Sequence, residues 1–99
     1  MLKGERTKIY GEALTKYGIK GQTLMLAEEC AELVKACSKA VRIEYHEDVS
    51  FSKILDAMAE EIADVKVMIE QMQYYYGISE DRIELIMEEK LKRLKERMK

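Results

Sequence analysis

Apolar positions between Met58 and Tyr76 alternate spacings of four and three: Met58, Ile62, Val65, Ile69, Met72 and Tyr76. That rhythm predicts a helix with one apolar stripe, from about Phe51 to Tyr76 and closed by Gly77. Upstream, two stripes run together. Leu24, Ala27, Ala31, Val34 and Val41 form one; Leu26, Cys30, Leu33, Cys37 and Ala40 form the other. They predict a helix from about Gln22 to Tyr45 that must be covered on two sides. An earlier helix is expected over Lys3 to Lys16, stopping near Tyr17-Gly18, where glycine accepts a left-handed cap, with Gly21 marking the joint. A polar loop follows from His46 to Ser52, with Asp48, Ser50 or Ser52 as the N-cap. The last helix starts after Ser79. Glu80 and Asp81 lie in its first turn and Lys and Arg crowd its end, both favourable to the helix dipole.

The expected fold is all-α: a four-helix chain forming one domain over 1–99, its bundle completed by oligomerisation. So few helices cannot cover so much apolar surface within one chain. A homodimer or a homotetramer is therefore expected.

Composition narrows the function. Pro is absent, Gly numbers 5, and the formal charge is −2. That charge gives no reason to expect nucleic acid or an anionic membrane as partner. No apolar run approaches the ~20 residues of a membrane span, and the charged N-terminus lacks a signal-peptide core. Cys30 and Cys37 stand two turns apart on one helix, roughly 10 Å between Cα atoms, beyond disulfide reach. Reduced thiols packed in a core suit a cytoplasmic protein.

The chemistry lies in carboxylates. Glu28-Glu29-x-x-Glu32 is followed by Glu61-x-x-Asp64. Within each helix the key pair is three residues apart, so both side chains project from about the same face. At 100° per residue, Gln22, Met25, Glu29, Glu32 and Ala36 fall within roughly 80° of arc, with Glu28 at its outer edge. Ala57, Glu61, Asp64 and Met68 share a flank of the next helix. Small Ala36 and Ala57 leave room beside the acids. Like charges this close repel unless a cation or a proton neutralises them. Four hard oxygen donors suit Mg²⁺, with Mn²⁺ as the other candidate. Solvated acidic faces are the alternative that periodicity leaves open.

The ordered pattern resembles the MazG-like all-α nucleoside triphosphate pyrophosphohydrolases, whose signature is E-E-x-x-E followed by E-x-x-D. Here it reads Glu28-Glu29-Cys30-Ala31-Glu32, then Glu61-Ile62-Ala63-Asp64. Gln22 upstream and the basic Lys-Leu-Lys-Arg-Leu-Lys-Glu-Arg ending are also similar, so the likeness spans nearly the whole chain. It implies hydrolysis of a nucleoside triphosphate between the α and β phosphates, giving monophosphate and pyrophosphate, as nucleotide-pool house-cleaning. It implies Glu29, Glu32, Glu61 and Asp64 as catalytic metal ligands. Glu28 is left to bind a second ion, position water or stay exposed.

Lys90 falls inside the apolar stripe of the last helix (Ile83, Met87, Leu91, Leu94), with Arg93 and Arg97 flanking it. These three are candidates to neutralise triphosphate oxygens; a basic helix end complementing the dipole is the other reading. Gln22 is a candidate substrate contact or a helix-start residue. The Met residues read as core filler. His46, the single His, reads as solvent-facing. It cannot meet the two-His need of a di-iron bundle. A phosphoribosyl-ATP pyrophosphohydrolase ranks lower, because the run Val65-Lys66-Val67-Met68 lacks the His expected there. A non-enzymatic helical oligomerisation module is the remaining alternative.

Overall fold

Helix formers dominate the chain, and the few breakers divide it. A computed structural model describes residues 1–46 and 50–99, with backbone alone at 43–46. It consists of α1 (Lys3–His46), α2 (Phe51–Tyr76) and α3 (Glu80–Arg97), with no strand among the described residues. The expected Asp48 cap lies outside the described residues, as does the side chain of His46. Among the described residues, no helix is long and apolar enough to cross a membrane.

Three helical elements stand where the spacing predicts four. The two expected N-terminal helices are joined as α1, because helical turns abut directly on both sides of one residue. That residue is Gly18, at φ 79°, ψ 157°. This backbone region is almost confined to glycine. It bends α1 sharply, and the two arms meet α2 in opposite senses. Along the first arm, Arg6 and Tyr10 reach Glu70 while Gly11 backs onto Tyr74, so numbering rises on both helices together. Along the second, Thr23 donates to Met72 Sδ at 3.7 Å, and Glu29 stands beside Glu61 and Asp64, so numbering falls. α2 thus lies against both arms. Gly77, at φ 67°, ends α2, with its N–H and that of Ile78 donating to the Gln73 carbonyl. Ser79 caps α3 by accepting from the Arg82 N–H at 3.2 Å. Ser50 holds the N-cap position of α2 without a side-chain cap bond.

The buried rows differ from the apolar stripes. On α2 the inner row is Ile54, Met58, Glu61, Val65, Met68 and Met72, with Gln71 beside it. On the second arm of α1 it is Ile19, Gln22, Leu26, Glu29, Leu33 and Ala36. Both rows keep the alternating spacing of a coiled-coil seam. The expected α2 stripe shares Met58, Val65 and Met72 with the inner row. Its other half, Ile62, Ile69 and Tyr76, is exposed. Cys30 and Cys37 are free, as expected, but exposed rather than packed in a core, because α2 covers only one side of α1. Met68 is buried, whereas Met25, Met87 and Met98 are exposed. Among the described residues, α3 packs along neither α1 nor α2, and the Gln73 side chain at the end of α2 donates to Glu80 at 3.1 Å.

Candidate metal centre

Glu29 and Glu61 occupy seam positions, so the antiparallel crossing of the second arm over α2 brings them together. Asp64, one turn beyond Glu61, closes the group from the outer edge. One carboxylate oxygen from each of the three lies within 4.8 Å of the others. Glu29 and Glu61 are half-buried and Asp64 is exposed. Among the described residues, Oε2 of Glu61 is buried without a hydrogen-bond partner.

The electrostatics follow from that placement. The Glu29 carboxyl is held above the ordinary carboxylate range, first by partial desolvation, then by the charges of Asp64, Glu61, Glu32 and Glu28 in falling order. A proton or a cation would relieve this strain. Hard oxygens on two rigid helices fit a divalent cation. Around Mg²⁺, with bonds of about 2.1 Å, ligand oxygens stand roughly 3–4 Å apart, so only a small contraction is needed. The orphaned Glu61 oxygen is the kind of acceptor such an ion would satisfy.

Other sequence candidates fall elsewhere. Glu32 is exposed and accepts from Lys35 at 3.4 Å, although it remains one turn from Glu29. Glu28 is exposed. Gln22 is buried at 8% exposure, packed in the seam rather than open at a surface. Lys90, Arg93 and Arg97 line a shallow groove on α3 with Lys92 and two glutamates. Among the described residues α3 packs along neither α1 nor α2, and these cations stand apart from the acidic group.

A second polar cluster was not foreseen. Arg6 Nη1 donates to both oxygens of Glu70, at 3.0 and 3.1 Å, and the Tyr10 hydroxyl donates to Glu70 Oε2. Burial, then the Glu70 hydrogen bond and charge, push the Tyr10 phenol up to about 12. Tyr10 lies 60 and Arg6 64 residues from Glu70, so no local spacing announces them. Gln71, also missed, is buried at 4% exposure, and its Oε1 has no partner among the described residues. A polar residue three positions beyond Met68, itself three beyond Val65, was its only signal. No protein-family model, curated protein or solved structure matches the chain.

Proposed function

We propose that this chain is a Mg²⁺-dependent nucleoside triphosphate pyrophosphohydrolase of the MazG-like kind. It would cut between the α and β phosphates, releasing monophosphate and pyrophosphate, and act in house-cleaning of the cytoplasmic nucleotide pool. The observation that carries this reading is the convergence of Glu29, Glu61 and Asp64, where Glu61 also carries a buried carboxylate oxygen unpartnered among the described residues. Both glutamates take seam positions that an inert bundle would fill with apolar side chains. The ordered motif supplies the reaction class; the seam placement supports the acids as more than a solvated face.

Glu29, Glu61 and Asp64 would hold Mg²⁺ or Mn²⁺, with Glu32 on the next turn as a further ligand once it leaves Lys35. Bound Mg²⁺ supplies charge neutralisation on phosphate oxygens and a more acidic water. A carboxylate of the set left free of metal accepts the proton of the attacking water. The seam holds the acids on two helices and so fixes their spacing. Lys90, Arg93 and Arg97 would neutralise the triphosphate from a second copy, in a homodimer or homotetramer that completes the bundle. Gln22, packed in the seam, is given no substrate contact.

The test is pyrophosphate release from a panel of canonical and modified nucleoside triphosphates, in Mg²⁺ and in EDTA, for wild type and Glu61→Gln. Metal-dependent release lost in the variant is the expected result. A folded protein that turns over no triphosphate, and phosphoribosyl-ATP neither, while binding no metal, overturns it in favour of an interaction module.

A further inference from the structure

We propose that the groove between the first arm of α1 and α2 binds a small organic monocarboxylate with an aliphatic body. Arg6 and Lys66 would hold its carboxylate, and Ile9 and Val67 would cover its carbon chain.

Arg6, Ile9 and Tyr10 stand three and four residues apart on the first arm, so they share one face. Ala63, Lys66, Val67 and Glu70 do the same on α2. The parallel crossing sets these faces side by side, and they line a groove of about 510 Å³. Small-molecule sites run from about 300 to 1,000 Å³. Ala63 to Glu70 covers about 10 Å along the helix axis. The groove shares no residue with the acidic group of Glu29, Glu61 and Asp64.

The two walls offer cations that their own chain does not use up. Glu70 takes both its bonds to Arg6 from Nη1 alone. Among the described residues, Nη2 and Nε of Arg6 have no hydrogen-bond partner. The Tyr10 hydroxyl donates to the same Glu70 carboxylate and steadies it. Arg6 is thus held at one nitrogen and keeps a fork of donors for a second carboxylate. Holding it in advance lowers the ordering cost of binding. Lys66, on the other wall, makes no ion pair among the described residues. Beside these cations Ile9 and Val67 are 47% and 51% exposed.

Charge chooses between anions. Arg6 and Lys66 against Glu70 leave one net positive charge in the groove. A carboxylate neutralises it. A phosphate monoester carries about −1.5 to −2 near neutral pH, which overshoots that charge and meets repulsion from Glu70. An anion without a carbon body would leave Ile9 and Val67 in water.

This inference does not rest on the hydrolase reading, and its test reads binding rather than turnover. The full chain, labelled with ¹⁵N and kept in EDTA, is titrated with sodium octanoate and followed by amide chemical shifts. Saturable shifts centred on 6–10 and 63–70 are expected. Acetate and octanol each carry only one of the two features, and each should bind at least about tenfold more weakly. Octyl phosphate should bind more weakly than octanoate. Lys66→Glu takes the groove from one net positive charge to one net negative, and should weaken octanoate at least about tenfold. Lys66→Arg should retain it. Both variants leave the chain's own packing intact, because Lys66 is exposed and makes no side-chain bond among the described residues. No saturable shift with octanoate overturns the proposal. So do shifts centred on the open apolar rows of α2 or α3, octanoate as tight on Lys66→Glu as on wild type, or octyl phosphate tighter than octanoate.

Discussion

Replacing Glu61 by Leu should stabilise the metal-free protein, contrary to the usual effect of changing a half-buried residue. Glu61 sits in the inner row of α2, between Met58 and Val65, with one carboxylate oxygen buried and unpartnered. Leaving such an acceptor unsatisfied costs about 1–3 kcal/mol, and leucine at a seam position removes that cost. Repulsion from Glu29 and Asp64 adds to the gain. For a domain of this size each kcal/mol moves the melting temperature roughly 4–8 °C. In EDTA, Glu61→Leu should therefore melt about 4–24 °C above wild type. Mg²⁺ should reverse the advantage. A ligand at a hundred times its Kd stabilises the folded state by about 2.7 kcal/mol, so wild type should rise and the variant should stay put. The assay is circular-dichroism melting at one fixed chain concentration, in EDTA and across a Mg²⁺ titration. If Glu61→Leu melts at or below wild type in EDTA, the seam charge carries no cost and the structural argument fails. If Mg²⁺ moves both proteins equally, the acidic group is not a metal centre.

Other outcomes follow from single residues. Gly18→Ala should cost about 1–3 kcal/mol in chemical denaturation, because alanine resists this φ/ψ while its Cβ meets nothing within 4 Å; no change would mean the bend relaxes freely. Tyr10→Phe should cost about 1–2 kcal/mol by removing a hydrogen bond to a carboxylate, and an unchanged urea midpoint would deny that Tyr10 ties α1 to Glu70. The raised Tyr10 value stabilises the fold below pH 10, and that contribution should be lost as pH climbs towards about 12, in wild type but not in Tyr10→Phe. The raised Glu29 value has the matching sign: its contribution is full below the unfolded value near 4.5 and is lost as pH rises through the folded one. Metal-free stability should therefore fall with rising pH just above 4.5, while stabilisation by Mg²⁺ grows over the same interval. A metal effect independent of pH there would argue against carboxylate ligands.

Element ends were legible because their chemistry is local. Gly77 closes α2 and Ser79 caps α3 as turn and cap rules require, and Gly18 interrupts the helix near where a stop was expected. The inner face of α2 was not legible. Apolar residues occupy two adjoining rows, and periodicity cannot say which row meets α1. Nor can it find a seam that contains Gln22, Glu29 and Glu61, since it scores polar side chains as outside. The pairing of Glu29 with Glu61 and Asp64 was foreseen from facing flanks. The contact of Glu32 with Lys35, one turn along the same helix, was not.

The two rows of α2 explain how a bundle carries acids in its interior. An inner row made wholly of apolar side chains would bind α1 more tightly but would hold no charged site. An outer row made of polar side chains would leave nothing to offset the cost of the half-buried carboxylates. Here the inner row holds Glu61 opposite Glu29, and the outer row holds Leu55, Ile62 and Ile69 exposed. At about 25 cal/mol per Å², burying even part of that outer row in the proposed oligomer would outweigh one orphaned carboxylate oxygen. Assembly and metal binding would then offset the same deficit by different routes. Each would act only on the folded chain, so each would strengthen the fold that the other requires.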